Sequence, residues 1–214
     1  MKFVLASITV LFISVCVNGQ VKYNVFAGPQ ATTARYTIEG VKQKTDMKIG
    51  FQAGMGMKVA FENKLFFAPA AFYSMKGYKV TYNVFNSFPN SDAKDNNTTI
   101  HTFELAFPLQ YDFNTAPDHF FIKGGPSLDF QLFGKEKYNL KSGGIVDHKM
   151  KFSYGDYGRY SANLLAQFGY ETSSGLLIFA QYTHGLASIC NFDGGPFIKH
   201  RAYGISIGKY LHGK

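Results

Sequence analysis

Apolar and polar residues alternate along much of this chain with a period of two. In the stretch KIGFQAGMGMKVAF, residues 48–61, the odd positions from Ile49 to Phe61 are all apolar, whereas the even positions are small or polar. Successive side chains of a β-strand point to opposite faces, so the pattern predicts a strand with one apolar face. Gly50, Gly54 and Gly56 share the other face, and they therefore indicate neither a helix-packing motif nor a phosphate-binding loop.

The same alternation predicts eight strands, which cover residues 23–36, 48–61, 65–82, 100–113, 120–132, 160–170, 176–186 and 201–211. The connections between them are in turn long and short: 37–47, 62–64, 83–99, 114–118, 134–159, 172–175 and 187–198. Short periplasmic turns and longer extracellular loops are typical of outer-membrane barrels. We therefore predict an all-β fold, an eight-stranded antiparallel up-and-down transmembrane β-barrel in the outer membrane with both termini in the periplasm.

The aromatic residues favour a membrane barrel over a soluble sandwich with an aromatic core. The chain has 22 Phe, 14 Tyr and 22 Gly but no Trp. One group of aromatic residues lies beside the short turns or the C-terminus: Phe61, Phe66, Phe67, Phe113, Phe120, Phe121, Tyr170 and Tyr210. The other group lies toward the long loops: Tyr36, Tyr78, Tyr82, Phe103, Phe133, Tyr157, Tyr160 and Tyr203. Two such groups predict the aromatic belts that mark the two membrane interfaces.

Residues 1–19 have the pattern of a cleaved signal peptide: Lys2, an apolar run from Phe3 to Val15 and small residues before Gln20. Residues 20–214 are then the outer-membrane barrel domain. A lipoprotein would use Cys16, but Val15 stands where a small residue is normal. Removal of the signal lowers the formal charge from +8 to +7, because Lys2 is lost, and leaves Cys190 as the only cysteine. Export makes nucleic acid an unsuitable partner for this basic chain.

If the apolar faces meet lipid, the polar faces point into the barrel. Four lysines and four carboxylates then share the interior: Lys48, Lys58, Lys76, Lys123, Glu104, Asp112, Asp129 and Glu171. An eight-stranded barrel is just wide enough to be filled by its own side chains. We therefore predict a paired charge network that holds the barrel shut. Met55→Arg is expected to harm insertion, whereas Gly54→Ser is expected to be far milder.

Other chemistry is sparse. His184 and Ser188 form the only pair that suggests an enzyme, and no acidic partner can be placed beside them. The histidines show no metal-ligand spacing, so we predict no catalytic function, cofactor or metal. The long connection 134–159 carries six basic residues, which are candidate contacts for lipopolysaccharide phosphates or another acidic ligand unless the loop is simply solvated: Lys135, Lys137, Lys141, Lys149, Lys151 and Arg159.

Several stretches resemble the small outer-membrane β-barrel proteins of Bacteroidetes, labelled porin-family or PorT-like: GFQAGMG, PAAFYSMKGYKV, FELAFPLQYDF, FFIKGGPSLDFQL and FAQYTHGLASI. Their order and spacing cover nearly the whole mature chain. The resemblance implies contact with outer-membrane lipid and recognition by the outer-membrane insertion machinery, which usually reads a C-terminal aromatic residue. This chain ends in Tyr210-Leu211-His212-Gly213-Lys214, so Tyr210 is the candidate for that signal.

Together these features predict a non-catalytic envelope protein with a scaffold, adhesion or surface-interaction role. Two alternatives remain open: a narrow porin for small solutes, and a soluble lipocalin-like barrel whose apolar faces point inward around a ligand. The sequence identifies neither a ligand nor a protein partner.

Overall fold

The computed structural model describes residues 21–211, and these fold into strands joined by turns and loops. The signal peptide predicted at residues 1–19, with Cys16, lies outside the described residues. The strands are β1 (Lys22–Ile38), β2 (Val41–Lys42), β3 (Lys44–Asp46), β4 (Lys48–Glu62), β5 (Leu65–Phe67), β6 (Ala70–Thr81), β7 (Asp95–Ala106), β8 (Leu109–Asp112), β9 (His119–Asn139), β10 (Ile145–Lys149), β11 (Tyr160–Glu171), β12 (Leu176–Gly185) and β13 (Phe197–Leu211). Within residues 21–211, none of the secondary structure is a helix of the length and apolarity needed to cross a membrane.

The long strands close into a ring. Each pairs antiparallel with the next in the order β1, β4, β6, β7, β9, β11, β12 and β13, and β13 pairs back with β1. The short β5 and β8 pair with each other and extend the walls begun by β6 and β7. The predicted eight-stranded antiparallel up-and-down barrel is therefore confirmed.

The two ends of the barrel differ. The three tight connections, after β4, β8 and β11, lie at the end that also holds the start of β1 and the end of β13; we call it the turn end. The long connections, with β2, β3 and β10, lie at the opposite end, the loop end. This asymmetry is the one predicted from the alternating connection lengths.

Two strands extend further toward the loop end than the sequence pattern predicted. The first begins at Asp95 instead of residue 100, and the second continues to Asn139 instead of residue 132. Backbone pairing continues here, as in Asn97 opposite Lys137, although the outward positions are polar. About 9–11 residues of a tilted strand cross a bilayer, so the 21 residues of β9 reach well beyond it. The alternation of apolar and polar residues therefore ends at the edge of the membrane, whereas the backbone hydrogen bonds between β7 and β9 continue beyond it.

The apolar and polar residues that alternate along each strand point to opposite sides of the barrel wall. On β4, Ile49 is 75% exposed and Met55 is 64% exposed, whereas Gln52, between them, is fully buried. The apolar wall points outward and the small and polar residues point inward. A soluble binder needs the reverse arrangement, so the lipocalin-like alternative is wrong.

The interior is less polar than predicted, because it also contains two hydrophobic clusters. One lies toward the turn end and consists of Phe26, Phe72, Ala106, Phe121, Leu165, Leu177, Phe179 and Tyr210. The other fills the loop end and contains Tyr36, Ile38, Tyr78, Phe88, Ile100, Met150, Phe152, Tyr157, Ile189 and Ile198. The belt assignment was thus wrong for Phe121, Tyr210, Tyr36, Tyr78 and Tyr157, which are buried inside. The membrane-facing aromatic residues include Phe61, Phe113, Phe120, Phe103, Phe133, Tyr160 and Tyr203.

Candidate functional site

A charged cluster lies inside the barrel at the turn end. Lys58 Nζ donates to Asp112 Oδ2 at 2.6 Å and to Glu171 Oε2 at 2.8 Å, and all three side chains are buried. These groups come from β4, β8 and β11, so the cluster spans the barrel lumen. Gln110 Nε2 donates to the other oxygen of Asp112 at 2.6 Å. The cluster lines a cavity of about 770 Å³ at the turn end, together with Tyr210.

His119 joins this cluster, and sequence analysis did not single it out. Its Nε2 lies 3.1 Å from Asp112 Oδ2 and 3.4 Å from Glu171 Oε2. Its Nδ1 lies 2.7 Å from the carbonyl oxygen of Ala116, in the turn before β9. The alternation along β9 could have identified it, because His119 points to the same inward face as Phe121 and Lys123.

A second charged cluster lies deeper in the barrel. Lys76 Nζ is 2.9 Å from Glu104 Oε2 and 2.8 Å from Asp129 Oδ2. Ser127 donates to Glu104 at 2.5 Å, and Ser161 lies 3.4 Å from Asp129. A buried charge is costly without such partners, and the cluster links β6, β7 and β9 to one another.

The remaining two lysines of the predicted network do not pair with carboxylates. Lys48 Nζ donates to three neutral oxygens of β7, on Asn97, Thr98 and Thr99, at 2.6–2.7 Å. Lys123 Nζ lies 5.0 Å from the centre of the Phe121 ring and makes no ion pair within residues 21–211. The predicted network of four lysines and four carboxylates is therefore two separate clusters, in which Lys58 and Lys76 each contact two carboxylates, while Lys48 and Lys123 form no ion pair within residues 21–211.

Amides and hydroxyls fill the space between the charged clusters. Gln52 donates to Ser206 at 3.0 Å and accepts from Gln181 at 3.1 Å, and Gln181 in turn accepts from Gln167 at 2.7 Å. Next to Gln52, Gln30 donates to Ser74 at 2.8 Å, and Ser74 stands opposite Gln52 in the β4–β6 pairing. These chains satisfy polar groups that water does not reach, and they leave the centre of the barrel filled.

At the loop end, the long connections fold back over the barrel mouth. Tyr157 donates to Glu136 Oε2 at 2.8 Å, and Asn96 donates to the same oxygen at 2.7 Å. The connection 134–159 has three acidic residues, Glu136, Asp147 and Asp156, and Glu136 points inward and is 2% exposed. The surface of this connection therefore carries a larger positive surplus than its six basic and three acidic residues alone would give.

The six basic residues predicted as anion contacts are all exposed: Lys135, Lys137, Lys141, Lys149, Lys151 and Arg159. On the β9–β10 hairpin, Lys149 stands opposite Lys135, and Asp147 stands opposite Lys137. Among the described residues, the only ion pair of a lysine or arginine on this surface joins Lys135 to Asp147 at 3.6 Å, and His148 Nε2 lies 3.4 Å from the buried Glu136 Oε1. Most of these ammonium and guanidinium groups thus remain available to an external anion.

The two residues considered for catalysis have separate partners. His184 Nδ1 is 2.9 Å from the hydroxyl of Tyr182. Ser188 Oγ accepts from the backbone amides of Cys190 at 3.2 Å and Ile198 at 3.0 Å, which fixes the turn before β13. Burial raises the pKa of the nearby Cys190 thiol to about 11, so at neutral pH this cysteine is protonated and a poor nucleophile.

Comparison with known proteins gives one family and several solved structures. The family described as "Outer membrane protein beta-barrel domain" matches residues 16–191. No curated protein has a matching sequence. The chain is similar to Ail, the attachment invasion locus protein of Yersinia pestis, solved in complex with the heparin analogue sucrose octasulfate: 12% identity, TM-score 0.47, covering 89% of this chain and 99% of that one.

Two further solved structures are similar. Neisserial surface protein A is 13% identical, with a TM-score of 0.45 and coverage of 87% of this chain and 96% of that one. OprG from Pseudomonas aeruginosa is 13% identical, with a TM-score of 0.45 and coverage of 90% and 97%.

Proposed function

This chain belongs to the outer membrane protein beta-barrel domain family, and from that premise we propose that it is a closed, non-catalytic barrel whose loop end binds anionic molecules of the cell envelope. Its role is then surface interaction, and the barrel serves as the scaffold. The observation that carries the proposal is a lysine-rich outward face on the part of the barrel wall that extends beyond the membrane.

The lysine-rich face, which we call the basic face, is built by the register of five strands. Lys137 on β9 stands opposite Asn97 on β7, which stands opposite Lys79 on β6. The adjacent rungs add Lys135 and Lys149 from the β9–β10 hairpin and Lys44 from β3. The basic face thus consists of Lys44, Lys79, Lys135, Lys137 and Lys149, all exposed.

The charge of the basic face is incompletely neutralised. Asp147 stands opposite Lys137, and Asp46 stands opposite Lys79. The carboxylate of Asp95 instead accepts hydrogen bonds from the side chain and the backbone amide of Asn139 at 2.7 and 2.9 Å. The basic face lies just beyond the outward aromatic residues Phe103 and Phe133, which supports a position of its lysines at the level of the lipid headgroups. Phosphate groups of lipopolysaccharide at this level are the ligand that the chemistry favours.

The orientation and origin of the protein are part of the proposal. The loop end faces outside and the turn end, with both termini, faces the periplasm, because short turns are periplasmic in barrels of this class. The strand motifs that resemble porin-family, PorT-like proteins support an origin in Bacteroidetes. Outer-membrane lipid surrounds the apolar wall, and the insertion machinery recognises the last strand. Tyr210 is a weaker candidate for that recognition than the sequence indicated, since its ring points into the barrel.

The filled interior supports a scaffold role over the narrow-pore alternative. Phe72, Phe121, Gln52 and Tyr78 are each at most 1% exposed, and they stand at successive levels of the lumen. A route for solutes would have to displace side chains held by the amide chain and the charged clusters.

The test is binding of the purified barrel to lipopolysaccharide in mixed detergent micelles, with and without charge reversal of the basic face. Each lysine near an anionic surface contributes about 1 kcal/mol, so Lys137→Glu/Lys149→Glu should weaken binding by about 30-fold or more. Added salt should weaken wild-type binding, because exposed charges are screened.

The matched control reverses two lysines at the turn end, the partly exposed Lys64 and the exposed Lys209, as Lys64→Glu/Lys209→Glu. This variant changes the net charge by the same amount and should bind lipopolysaccharide like the wild type. Equal binding by both double variants and the wild type would contradict the proposed function.

A further inference from the structure

The turn-end mouth brings together three groups that can share one metal ion. Asp112, His119 and Glu171 each offer a ligand atom, and the three atoms lie within 4.8 Å of one another. They come from β8, the first residue of β9 and the last residue of β11, so the closed barrel and not the sequence spacing assembles them. All three are buried, yet they line the turn-end cavity through which an ion could enter.

Only one of the two ring nitrogens of His119 has a hydrogen-bond partner. A carbonyl oxygen only accepts hydrogen bonds, so the contact with Ala116 fixes the proton on Nδ1. With the proton on Nδ1, the lone pair of Nε2 points toward Asp112 Oδ2 and Glu171 Oε2, which also carry lone pairs. Nε2 is buried without a hydrogen-bond partner. Three electron-pair donors that converge in this way can be shared by one cation.

The spacing fits a small dication with nitrogen and oxygen ligands. Zinc binds histidine and carboxylate ligands at about 2.0–2.2 Å, which separates neighbouring ligand atoms of a tetrahedral site by about 3.3–3.6 Å. The distances from Nε2 to the two carboxylate oxygens are 3.1 and 3.4 Å. The second shell is also suitable, because metal-bound histidine usually donates its other N–H to a carbonyl or carboxylate. Gln110 holds the second oxygen of Asp112 in the same manner.

Lys58 now occupies part of this site. Its ammonium group contacts the same oxygens, Asp112 Oδ2 and Glu171 Oε2, that face His119. It also lies 4.4 Å from the centre of the Phe66 ring, at the wall of the cavity. The flexible lysine side chain can move its ammonium group away from the two carboxylates and into the cavity, which Lys58 also lines. Lys58 is thus a tethered cation that competes with a metal for two of the three ligands.

We propose that the turn-end mouth is a binding site for one transition-metal dication, with Zn²⁺ as the best fit, in which Asp112, His119 and Glu171 are the protein ligands and Lys58 is an intramolecular competitor. Three protein ligands leave a coordination position open toward the cavity, where water can bind. This site is independent of the basic face, which lies at the other end of the barrel.

The test is Zn²⁺ titration of the tag-free full mature chain in detergent against a chromophoric chelator. Wild-type protein should take up one Zn²⁺ per chain. His119→Ala should bind at least tenfold more weakly, since it removes the nitrogen ligand, and Lys58→Met should bind at least tenfold more tightly, since it removes the competitor. His148→Ala, at the loop end, is the matched control and should bind like the wild type.

Folding of each variant is checked by its heat-dependent shift in gel mobility. If Lys58→Met does not fold, the comparison of wild type with His119→Ala decides alone. Failure of the wild type to bind Zn²⁺ at one ion per chain, or unchanged affinity in His119→Ala, would overturn the proposal.

Discussion

Adjacent residues of one strand meet opposite environments in this barrel, and β4 gives the clearest case. Met55 is outward and largely exposed at the middle of the strand. Gly54 is packed on the inside, where an added Cβ would lie 2.2 Å from the Cβ of Phe72 and 2.4 Å from the carbonyl oxygen of Ala71. The expectation that Gly54→Ser is mild was therefore wrong, since strand parity alone does not reveal this close approach of β6.

We expect both Met55→Arg and Gly54→Ser to impair the barrel, for different reasons. A charge facing lipid near the bilayer midplane costs about 2–4 kcal/mol, and overpacking of a filled interior costs about 1–3 kcal/mol. Gly124→Ser is the matched control, because an added Cβ there meets nothing within 4 Å. The measurement is urea-dependent folding into lipid vesicles; a Gly54→Ser barrel as stable as Gly124→Ser would show that β6 does not approach as described.

At the scale of elements, the buried charges connect strands that the backbone ladder already aligns. Lys76, Glu104 and Asp129 lie on three successive barrel strands and are nearly inaccessible to water. Such a cluster adds little to the free energy of unfolding compared with apolar side chains of the same size. Removing one of its members is costly, because the remaining charges stay buried without a partner. Its contribution is best described as fixing side-chain positions in the lumen.

We expect Lys76→Met to lower the free energy of unfolding by about 3–5 kcal/mol, the usual cost of breaking a buried ion pair. The triple variant Lys76→Met/Glu104→Gln/Asp129→Asn should recover much of that loss, because it leaves no charge behind. Lys48→Met is the control, since Lys48 is only half-buried and donates to neutral oxygens. Similar losses for Lys48→Met and Lys76→Met in the vesicle-folding assay would contradict this account.

The whole molecule is a barrel filled along its length and covered at one end. Aromatic rings, amides and charged clusters follow one another through the lumen, and the loop-end hydrophobic cluster closes the loop-end mouth. The open volume lies at the turn end, in the cavity that contains the proposed metal site. Access is therefore expected from the turn end alone.

We expect the purified barrel to show the heat-dependent gel shift of a stable membrane barrel and no stepwise conductance in a planar bilayer. The Phe72→Ala/Phe179→Ala variant, which removes two rings that each lie within about 6 Å of Phe26, is the informative comparison. Conductance by the wild type would favour the narrow-pore alternative, whereas conductance only after removal of the rings would support the closed lumen.

The sequence by itself determined the strand number, the lipid-facing residues and the difference between the two ends. These properties depend on local periodicity and on loop length, both of which can be read from short stretches of chain. The tertiary structure decided which inward residues meet, for the contact between Lys58 and Glu171 joins residues 113 positions apart. The position of Glu136, the burial of Tyr36 and Tyr157, and the approach of His119 to two carboxylates likewise depend on closure of the ring and on the curvature of its wall. Parity fixes the face of the strand to which a side chain points, but only the closed barrel fixes what lies across the lumen.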